Sequence, residues 1–406
     1  MTSIFPPLSF LKTQWTFLLF GFLLAFFSSP GQTFFISLFS GHIRDELGLS
    51  HGEFGNIYAA GTLVSAVCLI PAGRLVDVMR LRHIALLIII GLGAAALFFS
   101  TITSVMTLAV GVFLLRFTGQ GMMTHLYSTA MTRRYVAERG RALAVAVLGH
   151  PVSEFSMPVF ALLMLAMMEW QQVWMITGLI AWAIMIPAAI IFTRRIRGQD
   201  GEGLEGTNTA GRDGLHWTRR EMLMHWRFWM LCGIVIAPAF TATGMLFHQI
   251  HFAEIKSIPL PQWISGYVFY AVMNIIGSFI GGALIDRFSA SRIAPLVVAN
   301  LAAVPLMLFF AAPGVMVFAF FIVFGLTQGM VYTSSAPLFA EIYGTRHLGG
   351  IKAIAQALMV FASALSPALL GYMIDAGAGL TALLVVLGSI PLISGIMGFI
   401  AIQARN

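Results

Sequence analysis

Residues 194–220 read RRIRGQDGEGLEGTNTAGRDGLHWTRR and form the one long polar stretch in a sequence of 406 residues. A segment this rich in glycine and charge buries too little apolar surface to fold alone, which is typical of a flexible linker. The sequence on both sides is strongly apolar, with 59% hydrophobic and 10% charged residues overall and a mean hydropathy of +0.89. Soluble domains contain about 25% charged residues. The composition therefore excludes an ordinary soluble protein.

Six apolar runs precede the polar stretch and six follow it. Each is long enough to cross the roughly 30 Å hydrocarbon core of a membrane as a helix. The sequence therefore predicts an all-α polytopic membrane protein with about 12 transmembrane helices. We expect two six-helix bundles at 13–195 and 223–403, joined by a cytoplasmic linker at 196–222. The runs lie at 15–39, 54–76, 83–102, 105–131, 142–168, 171–193, 226–250, 262–285, 291–311, 314–340, 350–373 and 379–402.

The basic residues are placed unevenly around these runs. With the N-terminus in the cytoplasm, Arg44 and Lys256 fall in outer loops and Arg116 falls within a run, while the remaining Lys and Arg residues face the cytoplasm. This asymmetry follows the positive-inside rule and predicts that both termini are cytoplasmic. It also accounts for the net charge of +7 without a nucleic-acid partner. We expect a multi-pass protein of a bacterial-type inner (plasma) membrane, with the first run retained as a helix.

The two halves of the sequence resemble each other. An offset of 209 residues aligns similar residues around the first and second runs of each half, without gaps, and an offset of 208 does so around the fourth. Two such repeats joined by a linker are typical of a secondary transporter, whose substrate binds at the repeat interface near the middle of the membrane. The first set aligns His42, Asp45, Phe54, Tyr58, Gly73, Leu75 and Asp77 with His251, Glu254, Trp263, Tyr267, Gly282, Leu284 and Asp286. The second set aligns Gln120, Gly121, Met122 and Tyr135 with Gln328, Gly329, Met330 and Tyr343.

Two related motifs follow the second and eighth runs. They are GRLVD at 73–77 with Arg80, and GALID at 282–286 with Arg287; a third motif, RFTGQG, lies at 116–121. On these motifs the chain resembles the major facilitator superfamily. The resemblance implies a conformational latch, in which glycine allows close helix packing and aspartate pairs with a basic residue or a helix N-terminus. The expected latch residues are Gly73, Asp77, Arg80, Gly282, Asp286 and Arg287.

A narrower likeness is to the monocarboxylate and oxalate/formate branch of that superfamily. It rests on GQTFFI at 31–36 in the first run and on AEIYGTRHLGG at 340–350 after the tenth. The resemblance implies a small organic anion as the substrate and alternating access as the mechanism. Two complete halves make a functional monomer sufficient.

Arg116 is the basic residue that lies near the middle of an apolar run. An ionised side chain near the middle of a membrane helix costs at least about 2.5–3.5 kcal/mol and normally faces a cavity or a partner. We expect Arg116 to bind an anionic substrate or to form an ion pair with Glu154. On an α-helix, Gln120, Met123 and Tyr127 share its face, and the resemblance places the first, fourth, seventh and tenth helices around the cavity. The expected substrate-binding residues are Arg116, Gln120, Gln32, Tyr127, Gln328, Tyr332 and Thr241.

His150 and Glu154 lie one helical turn apart in the fifth run. In a low-dielectric site the protonation of a carboxyl and an imidazole responds to a nearby charge, so a substrate arriving at Arg116 can change their proton occupancy. The pair is therefore predicted to couple transport to H⁺, with a structural pair that joins helices five and four as the alternative. The expected partners are a small-molecule substrate, H⁺ and the lipid bilayer, with no cofactor.

Other functions remain open at this point. An aromatic solute such as a vitamin could stack on aromatic side chains of the cavity helices, and copper transport would use the 23 Met residues with His248 and His251. Efflux and a non-transporting sensor are further alternatives. Cys68 and Cys232 lie inside apolar runs and predict no disulfide or metal site, and no catalytic motif indicates an enzyme. The aromatic candidates are Phe34, Phe35, Tyr127, Tyr332, Tyr267 and Tyr270.

Overall fold

The computed structural model describes residues 8–73, 75–135, 139–193, 211, 213–344 and 348–404. All regular structure in these residues is helical. Twelve segments are long and apolar enough to cross a membrane, which confirms the predicted all-α fold. Helices suit a bilayer because they satisfy their backbone hydrogen bonds internally, where lipid offers no partners.

The chain divides into two compact units. The first consists of Met1–Leu49 and Ala60–Leu204, and the second of Ser50–Ala59 and Glu205–Asn406. The main division falls inside the linker expected at 196–222, most of which lies outside the described residues. The bounds of the two six-helix bundles stay a prediction. The second unit also takes ten residues from the first half of the sequence.

The first half of the chain forms helices α1 to α11. Several spans are built from more than one helix, because the backbone changes its hydrogen-bonding pattern inside them. A π-helix at Arg116–Met123 separates two helices of the fourth span, and 3₁₀ turns interrupt the first. The helices are α1 (Leu8–Phe26), α2 (Thr33–Ile36), α3 (Ser40–Leu47), α4 (His51–Ala72), α5 (Leu75–Val78), α6 (Leu81–Phe99), α7 (Val105–Leu115), α8 (Thr124–Arg134), α9 (Arg139–Val147), α10 (Gly149–Leu165) and α11 (Trp170–Thr193).

The second half forms helices α12 to α20. The first of them begins with a capping box, in which the Thr218 hydroxyl accepts from the Glu221 amide and the Glu221 carboxylate accepts from the Thr218 amide. The helices are α12 (Arg219–Met224), α13 (Trp226–Phe247), α14 (Gln249–Ile255), α15 (Leu260–Phe288), α16 (Ala290–Asn300), α17 (Ala303–Phe310), α18 (Val315–Tyr343), α19 (Leu348–Asp375) and α20 (Leu380–Gln403).

Helices α15 and α18 of the second unit touch along their backbones. A Cβ atom added at Gly277 would lie 2.2 Å from the Leu326 carbonyl oxygen, and one added at Gly329 would lie 2.0 Å from the Asn274 carbonyl oxygen. Small residues allow this approach in membranes, where helix association depends on close packing rather than on the hydrophobic effect. Glycine is therefore required at these two positions for a structural reason.

The glycines of the expected latch differ in their surroundings. Gly73 is buried, and the ring of His125 lies against it, with Nε2 3.2 Å from the Gly73 carbonyl oxygen. At Gly282 no described atom lies within 4 Å of the position that a Cβ would take. The close packing expected at Gly282 stays a prediction.

The structure describes the side chains of only some of the charged residues in the expected latch. Arg80 is exposed just before α6, and the Arg287 guanidinium lies 5.2 Å from the ring centroid of Phe288. The side chains of Asp77 and Asp286 lie outside the described residues. The latch itself stays a prediction.

Candidate functional site

The first span is interrupted at Ser29–Gly31. Pro30 has no amide hydrogen and cannot continue the helical ladder to the Phe26 carbonyl oxygen, which instead accepts from the Ser29 hydroxyl. Gln32 adopts an extended conformation before α2 begins. Its side-chain amide donates to the Ser28 hydroxyl at 3.3 Å. The break is thus held by local bonds, and it turns the backbone of the first span toward its neighbours.

The fourth span meets this break backbone to backbone. A Cβ atom added at Gly31 would lie 2.2 Å from the Leu115 carbonyl oxygen and 2.7 Å from the Gln120 amide nitrogen. One added at Gly119 would lie 2.8 Å from the Gly31 Cα. Neither position has room for a side chain, so the two glycines set the distance between the first and fourth spans.

At this contact the fourth span is a π-helix, Arg116–Met123. Such i→i+5 segments are rare and frequently occur at functional sites. They contain more residues per turn than an α-helix, so the α-helical spacing assumed from the sequence is wrong here. Gln120 is half-buried, and Met123 is fully buried. The sequence carried no direct signal for this change of register.

The Arg116 side chain is 1% exposed. Its Nε donates to the Thr62 hydroxyl at 3.1 Å, and its Nη1 donates to the Gly31 carbonyl oxygen at 3.0 Å. The Thr33 hydroxyl lies 3.5 Å from the same Nη1. Arg116 therefore joins the fourth span to the second span and to the break in the first. Sequence reasoning missed Thr62 and the Gly31 carbonyl as its acceptors.

Tyr127 and His150 form a second polar contact in the first unit. The Tyr127 hydroxyl lies 3.1 Å from His150 Nε2, and the Tyr127 side chain is buried. Glu154 follows one turn later in α10 and is half-buried. No hydrogen bond or ion pair joins its carboxylate to another residue of the described chain. The expected ion pair between Arg116 and Glu154 is therefore wrong for the described residues, since Arg116 is held by the first and second spans.

The expected residues of the second unit are not gathered in the same way. The Thr241 hydroxyl is buried and donates to the Leu387 carbonyl oxygen at 3.1 Å, which ties α13 to α20. Gln328 is 4% exposed, and its Oε1 has no hydrogen-bond partner within the described residues. Tyr332 is 60% exposed. In the first unit, by contrast, Arg116 bonds to the Gly31 carbonyl oxygen at the contact between Gly31 and Gly119.

The aromatic candidates are mostly packed into the protein. The Tyr267 hydroxyl donates to Gln249 Oε1 at 2.7 Å, and the Tyr270 ring lies edge-on to Phe324 with centroids 5.0 Å apart. Both tyrosines are buried, and so are Phe34 and Phe35. Only Tyr332, among the six aromatic candidates, is exposed.

The histidines considered for copper lie at the end of the seventh span. His248 Nε2 is 3.0 Å from the Pro367 carbonyl oxygen, which can only accept, so this nitrogen carries the hydrogen. In the described part of the chain, no group of three or more His, Cys, Asp or Glu side chains is arranged to hold a metal ion.

Comparison with known proteins identifies relatives of the whole chain. A family model described as Major Facilitator Superfamily matches residues 21–317 and 268–406. No curated protein matches the sequence. A solved structure of a bacterial homolog to the human lysosomal transporter Spinster, inward-facing and unoccupied, is similar with a TM-score of 0.73 at 17% identity, covering 95% of this chain and 96% of that one.

Two further structures have the same fold. The occupied, inward-facing form of the Spinster homolog has a TM-score of 0.70 at 16% identity, covering 96% of both chains. A mutant of the nucleoside transporter NupG has a TM-score of 0.73 at 9% identity, covering 96% of this chain and all of that one. At these identities the likeness concerns the fold alone, and fold does not define a substrate.

Proposed function

Because the chain belongs to the major facilitator superfamily, a family of multi-pass carriers of small solutes, we propose that it couples the transport of a small organic anion, a carboxylate, to H⁺. Transport proceeds by alternating access as symport across a bacterial-type inner membrane, with both termini in the cytoplasm. The observation that supports this most directly is the Glu154 carboxyl group, which lies inside a membrane helix without a bonding partner among the described residues.

A carboxylate in this position has two ways to avoid the cost of an uncompensated charge inside a membrane. It can pair with a cation, or it can bind a proton. No described residue supplies the cation to Glu154. The Glu154 carboxylate therefore becomes neutral by binding a proton. A group that takes up and releases a proton as its surroundings change is suited to coupling substrate transport to H⁺.

His150 extends this proton site by one helical turn. Its Nε2 contacts the buried Tyr127 hydroxyl, which can both donate and accept a hydrogen bond. The three side chains come from two spans, α8 and α10. A movement of one span against the other would thus change the hydrogen bonding of His150 and, through it, the surroundings of Glu154.

The choice of a carboxylate substrate rests on Arg116. Its positive charge lies inside the membrane at the contact between the first and fourth spans, and Gln32 and Gln120, whose side-chain amides can act as neutral donors, follow Gly31 and Gly119 of that contact in the sequence. The Thr62 hydroxyl and the Gly31 carbonyl oxygen fix the orientation of the Arg116 guanidinium. Its charge is therefore held in one place and is not carried by a mobile side chain. Fixed charge and neutral donors are the features that favour an organic anion.

Uptake into proteoliposomes tests the coupling. With a carboxylate first found by its thermal stabilisation of the purified protein, an inward H⁺ gradient should drive accumulation in the native protein. Glu154→Gln should abolish the accumulation but keep exchange of internal for external substrate, because the neutral amide imitates a permanently protonated carboxyl. Glu169→Gln is the matched control, since Glu169 lies in the loop before α11. Gradient-driven accumulation by Glu154→Gln would refute the assignment.

A further inference from the structure

Two arginines at the start of a short helix precede the seventh span. Helix α12 (Arg219–Met224) ends two residues before this span begins at Trp226. Arg219 and Arg220 lie in its first turn, and both are exposed. A helix start favours acidic side chains, because the end of the helix dipole there is positive, so the two arginines do not stabilise α12. Within the described part of the chain, no hydrogen bond or ion pair engages either guanidinium group.

The acidic side chains that lie closest to these arginines in the described sequence are engaged elsewhere. The Glu221 carboxylate accepts from the amide and the hydroxyl of Thr218, at 2.8 Å and 2.9 Å, and completes the capping box of α12. The Asp213 carboxylate lies 3.3 Å from Nη1 of the buried Arg227. Both carboxylates thus bond to other groups and do not neutralise the two arginines.

Contacts on both sides hold α12 in place on the second unit. The Met222 side chain is fully buried in the core of this unit. Before the helix, the Trp217 amide donates to the Tyr343 carbonyl oxygen at 3.1 Å. Near its end, Trp229 Nε1 donates to the Leu223 carbonyl oxygen at 3.0 Å. The two arginines therefore extend from a fixed helix and not from a flexible linker.

Exposed apolar side chains adjoin the arginines. Arg220 and Met224 are four residues apart and share one face of α12. Met222 lies two residues from each of them and is buried, so this face points away from the core. Met224 is 76% exposed, and the rings of Trp226 and Trp229 are also exposed. A surface that combines cations with exposed indole rings at the end of a membrane span is suited to the boundary between lipid headgroups and acyl chains.

We propose that Arg219, Arg220, Met224, Trp226 and Trp229 form a binding surface, the α12 surface, for an anionic phospholipid. The two guanidinium groups donate to the phosphate of the headgroup, whose geometry their planar form matches. The methionine and the indole rings contact the glycerol region and the beginning of the acyl chains. Two positive charges favour a headgroup with a net negative charge over a zwitterionic one. The α12 surface is independent of the substrate and of the proton site proposed above.

Lipid binding to the purified full-length protein in detergent tests this proposal. The probes are phosphatidylglycerol, which is anionic, and phosphatidylcholine, which is zwitterionic. The readout is the dissociation constant of the most tightly bound lipid in native mass spectrometry, and the native protein should bind phosphatidylglycerol more tightly than phosphatidylcholine. In the double variant Arg219→Gln, Arg220→Gln, phosphatidylglycerol binding should weaken about fivefold for each arginine, or roughly 25-fold in total, while phosphatidylcholine binding changes little.

The matched control is the double variant Arg82→Gln, Arg292→Gln. It removes the same charge from exposed arginines near the starts of α6 and α16, so it should bind phosphatidylglycerol as the native protein does. Equal weakening in the two double variants would overturn the proposal, because net charge alone would then decide the affinity. If Arg219→Gln, Arg220→Gln does not fold, the single variant Arg220→Gln decides the question: an about fivefold loss supports the α12 surface, and native affinity rejects it.

Two further measurements distinguish a lipid from a soluble anion. Trp226→Ala should weaken the binding of both lipids, because it removes an apolar contact that does not depend on charge, and unchanged binding would reject the α12 surface. Glycerol 3-phosphate should not compete with phosphatidylglycerol at equal concentration. Competition at equal concentration would identify a site for free phosphate esters and overturn the proposal. No transport substrate is needed, so failure of the proposed transport function would not affect the result.

Discussion

Replacing Gly31 by alanine would test how closely the break in the first span approaches the fourth span. The added carbon would lie 2.2 Å from the Leu115 carbonyl oxygen, whereas ordinary contacts begin at 3.4 Å, so the backbones would have to separate by about 1.2 Å. Such a shift would break the 3.0 Å bond from Arg116 Nη1 to the Gly31 carbonyl oxygen. Overpacking costs about 1–3 kcal/mol and a bond to a charged group about 1.5–3 kcal/mol, so we expect a loss of roughly 3–6 kcal/mol.

The assay is thermal unfolding of the purified protein in detergent. At about 2 °C per kcal/mol for a long chain, Gly31→Ala should lower the apparent Tm by roughly 6–12 °C. Gly41→Ala, in the nearby helix α3, is the control, because no described atom lies within 4 Å of its added carbon. It should leave Tm unchanged or raise it slightly, since alanine favours helix more than glycine does. Equal Tm values for the two variants would refute the backbone contact.

Two further predictions concern the charge in the fourth span and the glycines of α15. Arg116→Gln should abolish thermal stabilisation by carboxylates. Arg116→Lys should keep a weaker stabilisation, because lysine retains the charge but cannot reproduce the bonds of Nε and Nη1. Stabilisation of Arg116→Gln to the native extent would contradict the anion site. Gly277→Ala should lower Tm because its added carbon meets the Leu326 carbonyl oxygen at 2.2 Å, while Gly282→Ala should not. The reverse order in unfolding scans would contradict the described packing.

The fold could be predicted from the sequence because each membrane span depends on local properties, namely the length and the apolar content of one segment. Run length and apolar content define a membrane span whatever its neighbours are. The run predicted at 105–131 has the same ends as the span Val105–Met131, and the run at 171–193 differs from α11 by one residue. Membership of the superfamily, predicted from three short motifs, is also shown. The monocarboxylate branch stays a prediction.

The site could be predicted only in part, because its geometry depends on backbone groups. Arg116 stood out as a charge within an apolar run, but its acceptors include the Gly31 carbonyl oxygen, and no side-chain pattern identifies a carbonyl. A signal for the break did exist: Ser-Ser-Pro-Gly at 28–31 is a sequence typical of a turn. Sequence reasoning treated 15–39 as a single helix and did not use it.

Other features of the structure depend on tertiary contacts. Thr241 was predicted to face a cavity by analogy between helices, yet its hydroxyl is satisfied by the Leu387 carbonyl oxygen. The Asp375 carboxylate accepts from the His51 and Gly52 amides at the start of α4, more than 300 positions away, so no local pattern predicts this contact. In both cases the bonding partner depends on which helices pack against each other. The sequence alone does not show which helices are neighbours.

The π-helix at Arg116–Met123 has a consequence for the two halves of the fourth span. Each residue of an α-helix advances about 100° around the axis, and each residue of an i→i+5 helix advances less. Over eight residues the side chains of α8 therefore fall out of phase with those of α7, as if one residue had been inserted between them. One span can in this way present differently oriented surfaces at its two ends. Deleting one residue from the π-helix would bring them back into phase and rotate Tyr127 away from His150.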